Sequence, residues 1–207
     1  MALIKHHVEQ KVETLPSFSN LEEAIKFFKY NDDLDKKYYV IEEISKLDGG
    51  LDYLLSYLAD DSCSKDISTR IATVVSGMDA ANVPIDTIMD LLKLENAYIR
   101  NLGISMLTHF GSAIKYNIVK FLIGEDKNLR IFAINVLGDV NFPESREMLL
   151  ELLENEQNIN VSMTAVDYMA EIGKIEDIPL LESLKDRFNA ESYAEYAIDN
   201  AINSIKG

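Results

Sequence analysis

The amino-acid sequence predicts an all-α protein, an α-solenoid of about six antiparallel helix pairs. Three observations predict this fold: a short motif recurs about every 31 residues, each copy carries apolar residues at helical spacing, and turn-forming residues lie between the copies. Of the 207 residues, 47% are hydrophobic. That share is enough to bury a continuous core along such an array.

The recurring motif is clearest in three copies, which begin at Ile99, Leu129 and Val161, at offsets of 30 and 32 residues. Weaker copies begin at Ile67 and Tyr193. In each copy an apolar residue is followed, at steps of four, by a small or apolar residue and by another apolar residue, which places all three on one helical face. A small side chain at the middle position lets neighbouring helices approach closely, and in the last four copies this position holds Gly103, Ala133, Ala165 and Ala197.

A second helix is predicted before each copy, over residues 51–59, 85–94, 114–123, 145–153 and 178–185. Breakers such as Pro84, Gly111 and Pro143 precede three of these helices, and Pro179 lies in the first turn of the last. Neither helix of a pair can bury its apolar stripe alone, so the pairs are expected to stack.

The N-terminal part contains a degenerate first pair. Asn20 and Glu23 form a plausible capping box for a helix that ends near Tyr30, and a helix over 37–47 follows it. We therefore expect one repeat domain over 17–207, and residues 1–16 form a tail or an extra capping helix. The expected repeats span residues 20–47, 51–77, 84–110, 113–140, 143–173 and 175–205.

The motif resembles HEAT repeats, of the short HEAT-like type also found in phycobilisome lyases. The resemblance rests on Ile99-Arg100-x-x-Gly103-x-x-x-Leu107 and on Leu129-Arg130-x-x-Ala133-x-x-x-Leu137, and it is strongest over about 84–187. The chain departs from the family where an Arg follows the first apolar position, because Ser68, Ser162 and Ala194 replace it in the other copies. The resemblance implies that the second helix of each pair lines a concave surface.

On that implied surface one column of the motif is polar. Stacking is expected to place Thr73, Ser105, Asn135, Asp167 and Asp199 in a row. Together with neighbouring acidic and aromatic residues, the column predicts a protein-binding groove that includes Ser105, Asn135, Asp139, Asp167, Tyr168, Glu171, Glu195 and Asp199, with Glu191, Tyr193 and Tyr196 nearby. An ordinary solvated helix face explains the same column.

The net charge is −15, from 20 basic and 35 acidic residues. Residues 151–207 hold twelve of the acidic and four of the basic ones, so more than half of the excess lies near the C-terminus. A protein that neutralises phosphates needs a basic face, which excludes most nucleic-acid binders. The acidic C-terminal repeats are expected either to steer a basic partner into the groove or to keep a terminal repeat soluble.

Few residues are available for chemistry. The histidines are His6, His7 and His109, and His109 is expected in the last turn of a helix, where the helix dipole favours it. The acidic and amide residues Asn31, Asp33, Asp35 and Glu42 have the spacing of a calcium loop. Lys36 stands where that loop needs glycine, so a helix cap is the favoured interpretation. We predict no catalytic, metal or cofactor-binding residue.

Two further features concern the compartment. The lone Cys63 has Asp60 nearby, which does not favour a reactive thiolate, so an ordinary packing role is expected. The first residues contain charge before any signal-like apolar stretch, and no stretch approaches 18 apolar residues. We expect a cytoplasmic protein that does not bind membranes.

These observations predict a non-enzymatic scaffold or adaptor that holds a basic protein or peptide in an acidic concave groove. A sharper form of this hypothesis is an inhibitor or immunity-type protein that masks a basic partner. The alternative is a bilin- or cofactor-handling protein, which the resemblance to phycobilisome lyases implies. Because a tetrapyrrole carries anionic propionates, the acidic column disfavours that alternative.

Overall fold

A computed structural model describes residues 15–60, 62–140 and 142–207. Over these residues the chain forms twelve α-helices and no strand, as the sequence predicts. The expected tail, except for residues 15 and 16, lies outside the described residues, as do His6 and His7. The helices are α1 (Leu21–Tyr30), α2 (Leu34–Ser45), α3 (Gly50–Leu58), α4 (Lys65–Ser76), α5 (Ile85–Leu91), α6 (Ala97–His109), α7 (Lys115–Leu122), α8 (Lys127–Val140), α9 (Ser145–Asn155), α10 (Ile159–Ile172), α11 (Ile178–Arg187) and α12 (Ser192–Lys206).

The helices form six consecutive pairs in two layers. Each even-numbered helix packs against its odd-numbered partner and against the next even-numbered helix, from α2 to α12. Neighbouring odd-numbered helices make fewer contacts with each other. We call the even-numbered helices the inner layer and the odd-numbered helices the outer layer, because a double layer curves toward the side that packs more closely. The predicted α-solenoid is confirmed.

The core lies between the layers and is built from the predicted stripes. In α6, Ile99, Gly103 and Leu107 are buried, and the corresponding residues of α4 and α10 are buried as well. Gly103 packs against α5, where a Cβ atom on Gly103 would lie 3.4 Å from the Cβ atom of Leu91. The small middle residue therefore does allow close packing within a pair.

The last helix departs from the predicted alignment. Tyr193, which the alignment places first in the stripe of α12, is exposed, and the buried residues of α12 are Ala194, Ile198, Ala201 and Ile202. The equivalent positions are also buried in α4 (Ser68 and Ala72) and in α10 (Ser162 and Val166). Helix α12 therefore buries a narrower part of the same face, with Tyr193 exposed and Ala197 only partly buried.

Polar side chains begin several helices. The Asn20 side chain accepts a hydrogen bond from the backbone N–H of Glu23 (3.0 Å), as the predicted capping box requires. The Glu23 carboxylate accepts instead from the N–H of Ser19, one residue before the expected donor. Asp33 caps α2 by accepting from the N–H of Lys36 (3.1 Å), so the favoured interpretation of the calcium-like segment as a cap is confirmed at Asp33.

Two motif arginines bind the turns that follow outer helices. Nη1 of Arg100 donates to the carbonyls of Leu94 and Glu95 after α5, and Nη1 of Arg130 donates to the two corresponding carbonyls after α7. These bonds give the motif arginine a structural role, since they satisfy turn carbonyls that no helix hydrogen bond uses.

In the fifth helix pair, α9 and α10, Ser162 stands in place of that arginine, and an arginine from another repeat binds the end of the outer helix. Arg187, at the end of α11, reaches back and donates to the carbonyls of Leu153, Glu154 and Glu156 at distances of 2.6–2.9 Å. The Ser162 hydroxyl is buried and has no hydrogen-bond partner among the described residues. An arginine of the following repeat thus caps α9.

No helix of the described residues is long and apolar enough to cross a membrane.

Candidate partner-binding surface on the inner layer

Three carboxylates lie close enough to one tyrosine on the inner layer to act on it electrostatically. Asp139 ends the exposed face of α8, and Asp167 and Glu171 lie one turn apart on the exposed face of α10. The charges of all three act on Tyr168 of α10, which places them near its hydroxyl group. We call Asp139, Asp167 and Glu171 the acidic trio. None of the three forms an ion pair with a described lysine, arginine or histidine, so the local charge is not compensated.

Tyr168 leans from α10 toward α8. Its ring lies against Gly138, and its hydroxyl group is 3.5 Å from the backbone carbonyl of Asn135. The glycine leaves room for the ring because it has no Cβ atom. This packing joins the acidic residue of one repeat to those of the next and forms a single acidic and aromatic surface.

Burial raises the pKa values of two residues at this surface, Asp167 and Tyr168. Partial burial raises the pKa of Asp167 above its usual value. Burial also raises the pKa of Tyr168, and the negative charges of Asp139, Glu171 and Asp167 raise it further. The raised pKa of Asp167 means that its charge is costly where it stands, and a bound cation would relieve that cost.

A shallow cavity of about 290 Å³ lies between α6 and α8 beside the acidic trio. Asp139 and Ser105, both predicted site residues, line it together with His109. His109 is the last residue of α6, as expected, and its Nδ1 donates to the carbonyl of Ser105 at 2.7 Å. Because a carbonyl only accepts, this bond leaves Nε2 of a neutral ring as an acceptor. The cavity extends the acidic surface by one repeat toward the N-terminus.

The C-terminal end of the predicted column is arranged differently. Asp199 forms an ion pair with Lys185 of α11, so its charge is compensated within the protein. The hydrogen bond to Asp199 is the main reason why the pKa of Lys185 is raised, and the negative charges of Asp199, Glu195 and Glu182 raise it further. The described structure thus gives the acidic trio and Asp199 different surroundings, although the sequence groups them in one groove.

The other residues of the predicted surface hold local bonds. The Tyr193 hydroxyl donates to Oδ1 of Asn160 at 3.1 Å, which ties α12 to the start of α10. Tyr196 is exposed. At the other end of the column, the Thr73 hydroxyl donates to the carbonyl of Thr69 within its own helix. These residues are accessible but make no shared cluster with the acidic trio.

Within the described residues no cluster of His, Cys, Asp and Glu has the geometry of a metal site. Glu42, the last residue of the calcium-like segment, pairs with Arg70 of α4. Burial raises the pKa of the half-buried Cys63 thiol, and the charge of Asp60 adds to this, in line with the packing role expected for it.

Sequence reasoning missed three contributors to this surface. Gly138 seats Tyr168, His109 lines the cavity with Ser105, and Lys185 compensates Asp199. The sequence could have indicated Gly138, because this glycine follows Leu137 directly in the motif copy that begins at Leu129. The pairing of Lys185 had no such signal, since it joins side chains of two different helices, α11 and α12.

Residues 117–194 match the family model of HEAT repeats, which confirms the predicted resemblance over somewhat more than a third of the chain. No curated protein matches the sequence.

Several solved structures are similar. Two crystal structures of engineered proteins share 18% and 16% sequence identity with the chain, cover 90% and 91% of it and 96% and 99% of their own chains, and each gives a TM-score of 0.40. The complex of CpcE and CpcF of phycocyanin lyase from Nostoc sp. PCC7120 is 15% identical, covers 96% of this chain and 99% of its own, and gives a TM-score of 0.33.

Proposed function

We propose that this chain, a scaffold of HEAT-like repeats, is a non-enzymatic adaptor that binds a basic protein or peptide on its inner layer. The observation that carries the proposal is the acidic trio. Its three carboxylates come from two neighbouring repeats, act electrostatically on Tyr168 and have no described cation beside them. Lysine and arginine side chains of a partner would supply the missing charge, and the tyrosine ring offers them a cation–π contact.

The acidic trio favours a basic partner over a tetrapyrrole. A bilin carries propionate groups that these carboxylates would repel at contact distances. The same repulsion excludes nucleic-acid backbones from this surface. An inhibitor or immunity-type role, in which the inner layer masks the basic surface of an enzyme or toxin, is the sharper form of the proposal.

The test removes the charge of the acidic trio while keeping its shape. Affinity-tagged wild-type protein and the triple variant Asp139→Asn, Asp167→Asn, Glu171→Gln capture proteins from cells of the source organism at physiological salt. A matched control, Asp32→Asn, Asp48→Asn, Glu95→Gln, removes three exposed charges elsewhere. Quantitative mass spectrometry is expected to show basic proteins captured by the wild type and the control and lost from the triple variant.

Binding kinetics of a captured partner then test the electrostatic part. Association with the triple variant should be slower and less dependent on salt than association with the wild type or the control. Equal capture by all three proteins, or equal salt dependence, would show that the acidic trio is not the binding surface.

A further inference from the structure

The outer layer contains an open apolar groove whose lining includes no residue of the acidic trio. It lies between α7 and α9 and has a volume of about 460 Å³. Its apolar lining comes from Val119, Leu122, Ile123, Met148 and Leu152, and its polar lining includes Arg130, Glu151, Asn155, Glu156 and Gln157.

The groove exists because α7 and α9 are joined near their N-terminal ends. Lys115, the first residue of α7, pairs with Glu144 just before α9 at 2.6 Å. Elsewhere in the outer layer, Asp86 of α5 accepts from Asn117 of α7, and Arg146 of α9 pairs with Asp177 before α11. Helices α7 and α9 make few contacts with each other, and Val119, Ile123, Met148 and Leu152 line the open groove between them.

One wall of the groove is formed by apolar residues of α7 and its C-terminal end. Val119 and Ile123 line the groove, and Tyr116 continues their stripe outside the lining. The exposed fractions of Tyr116, Val119 and Ile123 are 83%, 37% and 80%. A solvated face of a helix is expected to be polar, so an exposed apolar stripe is typical of a binding surface.

The other wall is apolar at its base and acidic at its edge. Met148 and Leu152 of α9 face the groove. The exposed residues Glu147, Glu151 and Glu154 follow each other along α9, and we call them the acidic ridge. Glu151 and Glu154 have no ion pair with a described residue. The one cation in the lining, Arg130, is compensated by the carboxylate of Glu156 at 2.7 Å.

We propose that this groove binds an amphipathic helix of a partner protein, with the apolar stripe of that helix against α7 and its lysines or arginines against the acidic ridge. The volume and the helical spacing of the α7 residues suit one helix face, and the unpaired carboxylates favour a cationic one. A second copy of this chain is disfavoured as the occupant because two proteins of charge −15 would meet at their acidic ridges. Arg130 of α8 is the one residue of the inner-layer helices in the lining, no residue of the acidic trio lines the groove, and the site does not depend on the proposed function.

A synthetic helix of leucine and lysine, about 15 residues long, with its leucines on one face, serves as the probe. Fluorescence anisotropy of the labelled peptide measures its affinity for the full-length protein. Ile123→Asn is expected to weaken binding about tenfold, since it places an amide in the apolar lining of the groove. The matched control Ile175→Asn changes another exposed isoleucine, between α10 and α11, and should leave the affinity within about twofold. A peptide with glutamate in place of lysine should not bind.

A second variant tests the acidic ridge without changing the apolar lining of the groove. Glu151→Lys should weaken binding of the lysine peptide and reduce its salt dependence. The triple variant of the acidic trio should bind the peptide as the wild type does. Circular dichroism confirms that each variant is folded, which is expected because Ile123 and Glu151 are exposed.

Three results would overturn the inference. Equal peptide affinity of the wild type and Ile123→Asn would show that the groove is not the binding site of the peptide. Loss of binding in the acidic-trio variant alone would assign the peptide to the inner layer. A dimer in sedimentation velocity that Ile123→Asn dissociates would assign the groove to a second copy.

Discussion

The ring of Tyr168 lies so close to Gly138 that a Cβ atom on the glycine would stand 1.6 Å from Cε1 of the tyrosine. The two residues belong to neighbouring helices of the inner layer, α10 and α8. Their contact sets how closely two repeats approach at the acidic trio, because Asp139 follows Gly138 directly. A glycine within a helix normally costs stability, and here it makes room for an aromatic ring.

Gly138→Ala is expected to displace Tyr168 and to lower the free energy of unfolding by roughly 1–3 kcal/mol, since the ring must leave its seat. Gly103→Ala is the matched control. Its Cβ atom would lie 3.4 Å from its nearest neighbours, an ordinary contact, and the better helix propensity should stabilise the protein by up to about 1 kcal/mol. Urea unfolding measures both. Equal effects of the two substitutions would mean that the backbone of α8 shifts to accept the new methyl group and that the Tyr168 ring does not depend on Gly138 for its position.

The two buried serines in the motif should respond oppositely to alanine. The Ser162 hydroxyl has no partner, so Ser162→Ala removes an unsatisfied group and should leave stability unchanged or raise it by about 1 kcal/mol. Ser68 donates to the carbonyl of Ser64 at 2.6 Å, so Ser68→Ala should cost about 1 kcal/mol. Thermal unfolding of both variants measures the two effects. A loss of stability in Ser162→Ala would show that the Ser162 hydroxyl has a hydrogen-bond partner in solution.

The Arg187 cap should be strongly stabilising. Arg187→Met keeps most of the side-chain length but removes three donated hydrogen bonds from the end of α9, and we expect a loss of about 2–3 kcal/mol. Lys127→Met removes an exposed cation at the start of α8 and should change stability by less than about 0.5 kcal/mol. Urea unfolding at pH 7 compares them. Similar losses would mean that net charge, not the cap, controls stability here.

The pair of Arg146 and Asp177 should make stability depend on pH. Burial alone raises the pKa of Asp177, but hydrogen bonds from Arg146 and from the backbone N–H of Lys174 outweigh it, and the pKa lies below its ordinary value. A lowered pKa in the folded state stabilises the protein above the unfolded pKa of about 3.9, and the stabilisation is lost as the pH falls through the folded value.

Asp177→Asn should therefore destabilise the protein by roughly 1–3 kcal/mol at pH 7, because it removes the buried partner of Arg146 and leaves only the exposed carboxylates of Glu147 and Glu176 beside it. The difference from the wild type should shrink below about pH 4. Urea midpoints at both pH values give the measurement, with Asp186→Asn as an exposed control at pH 7. A difference that stays constant down to pH 2 would contradict the assignment.

The helical periodicity predicted most of the fold because burial of an apolar stripe is a local property of the sequence. Ile99, Gly103 and Leu107 are buried as their spacing predicts. The last copy differs, since Tyr193 is exposed although its position in the motif predicts burial. The motif alone cannot show this, because the burial of a position depends on which neighbours the helix packs against.

The candidate surface was predicted in part. Column spacing placed Asp167 on an exposed inner face, and charge clustering pointed to Asp139 and Glu171, all of which lie near Tyr168. The same reasoning included Asp199, whose charge Lys185 compensates. Side chains that reach between helices, such as Lys185 and Arg187, depend on distances across the array, and the sequence carries no periodic signal for them.

The cap that Arg187 places on α9 affects how the array comes apart. In a linear stack, each repeat is held by its own stability and by the interface free energy with its neighbours. Arg187 belongs to the repeat of α11 and α12 and bonds to the end of α9 in the repeat before it, so these bonds add to the interface between the two repeats. Unfolding of either repeat breaks them, which couples the stability of one repeat to that of the other.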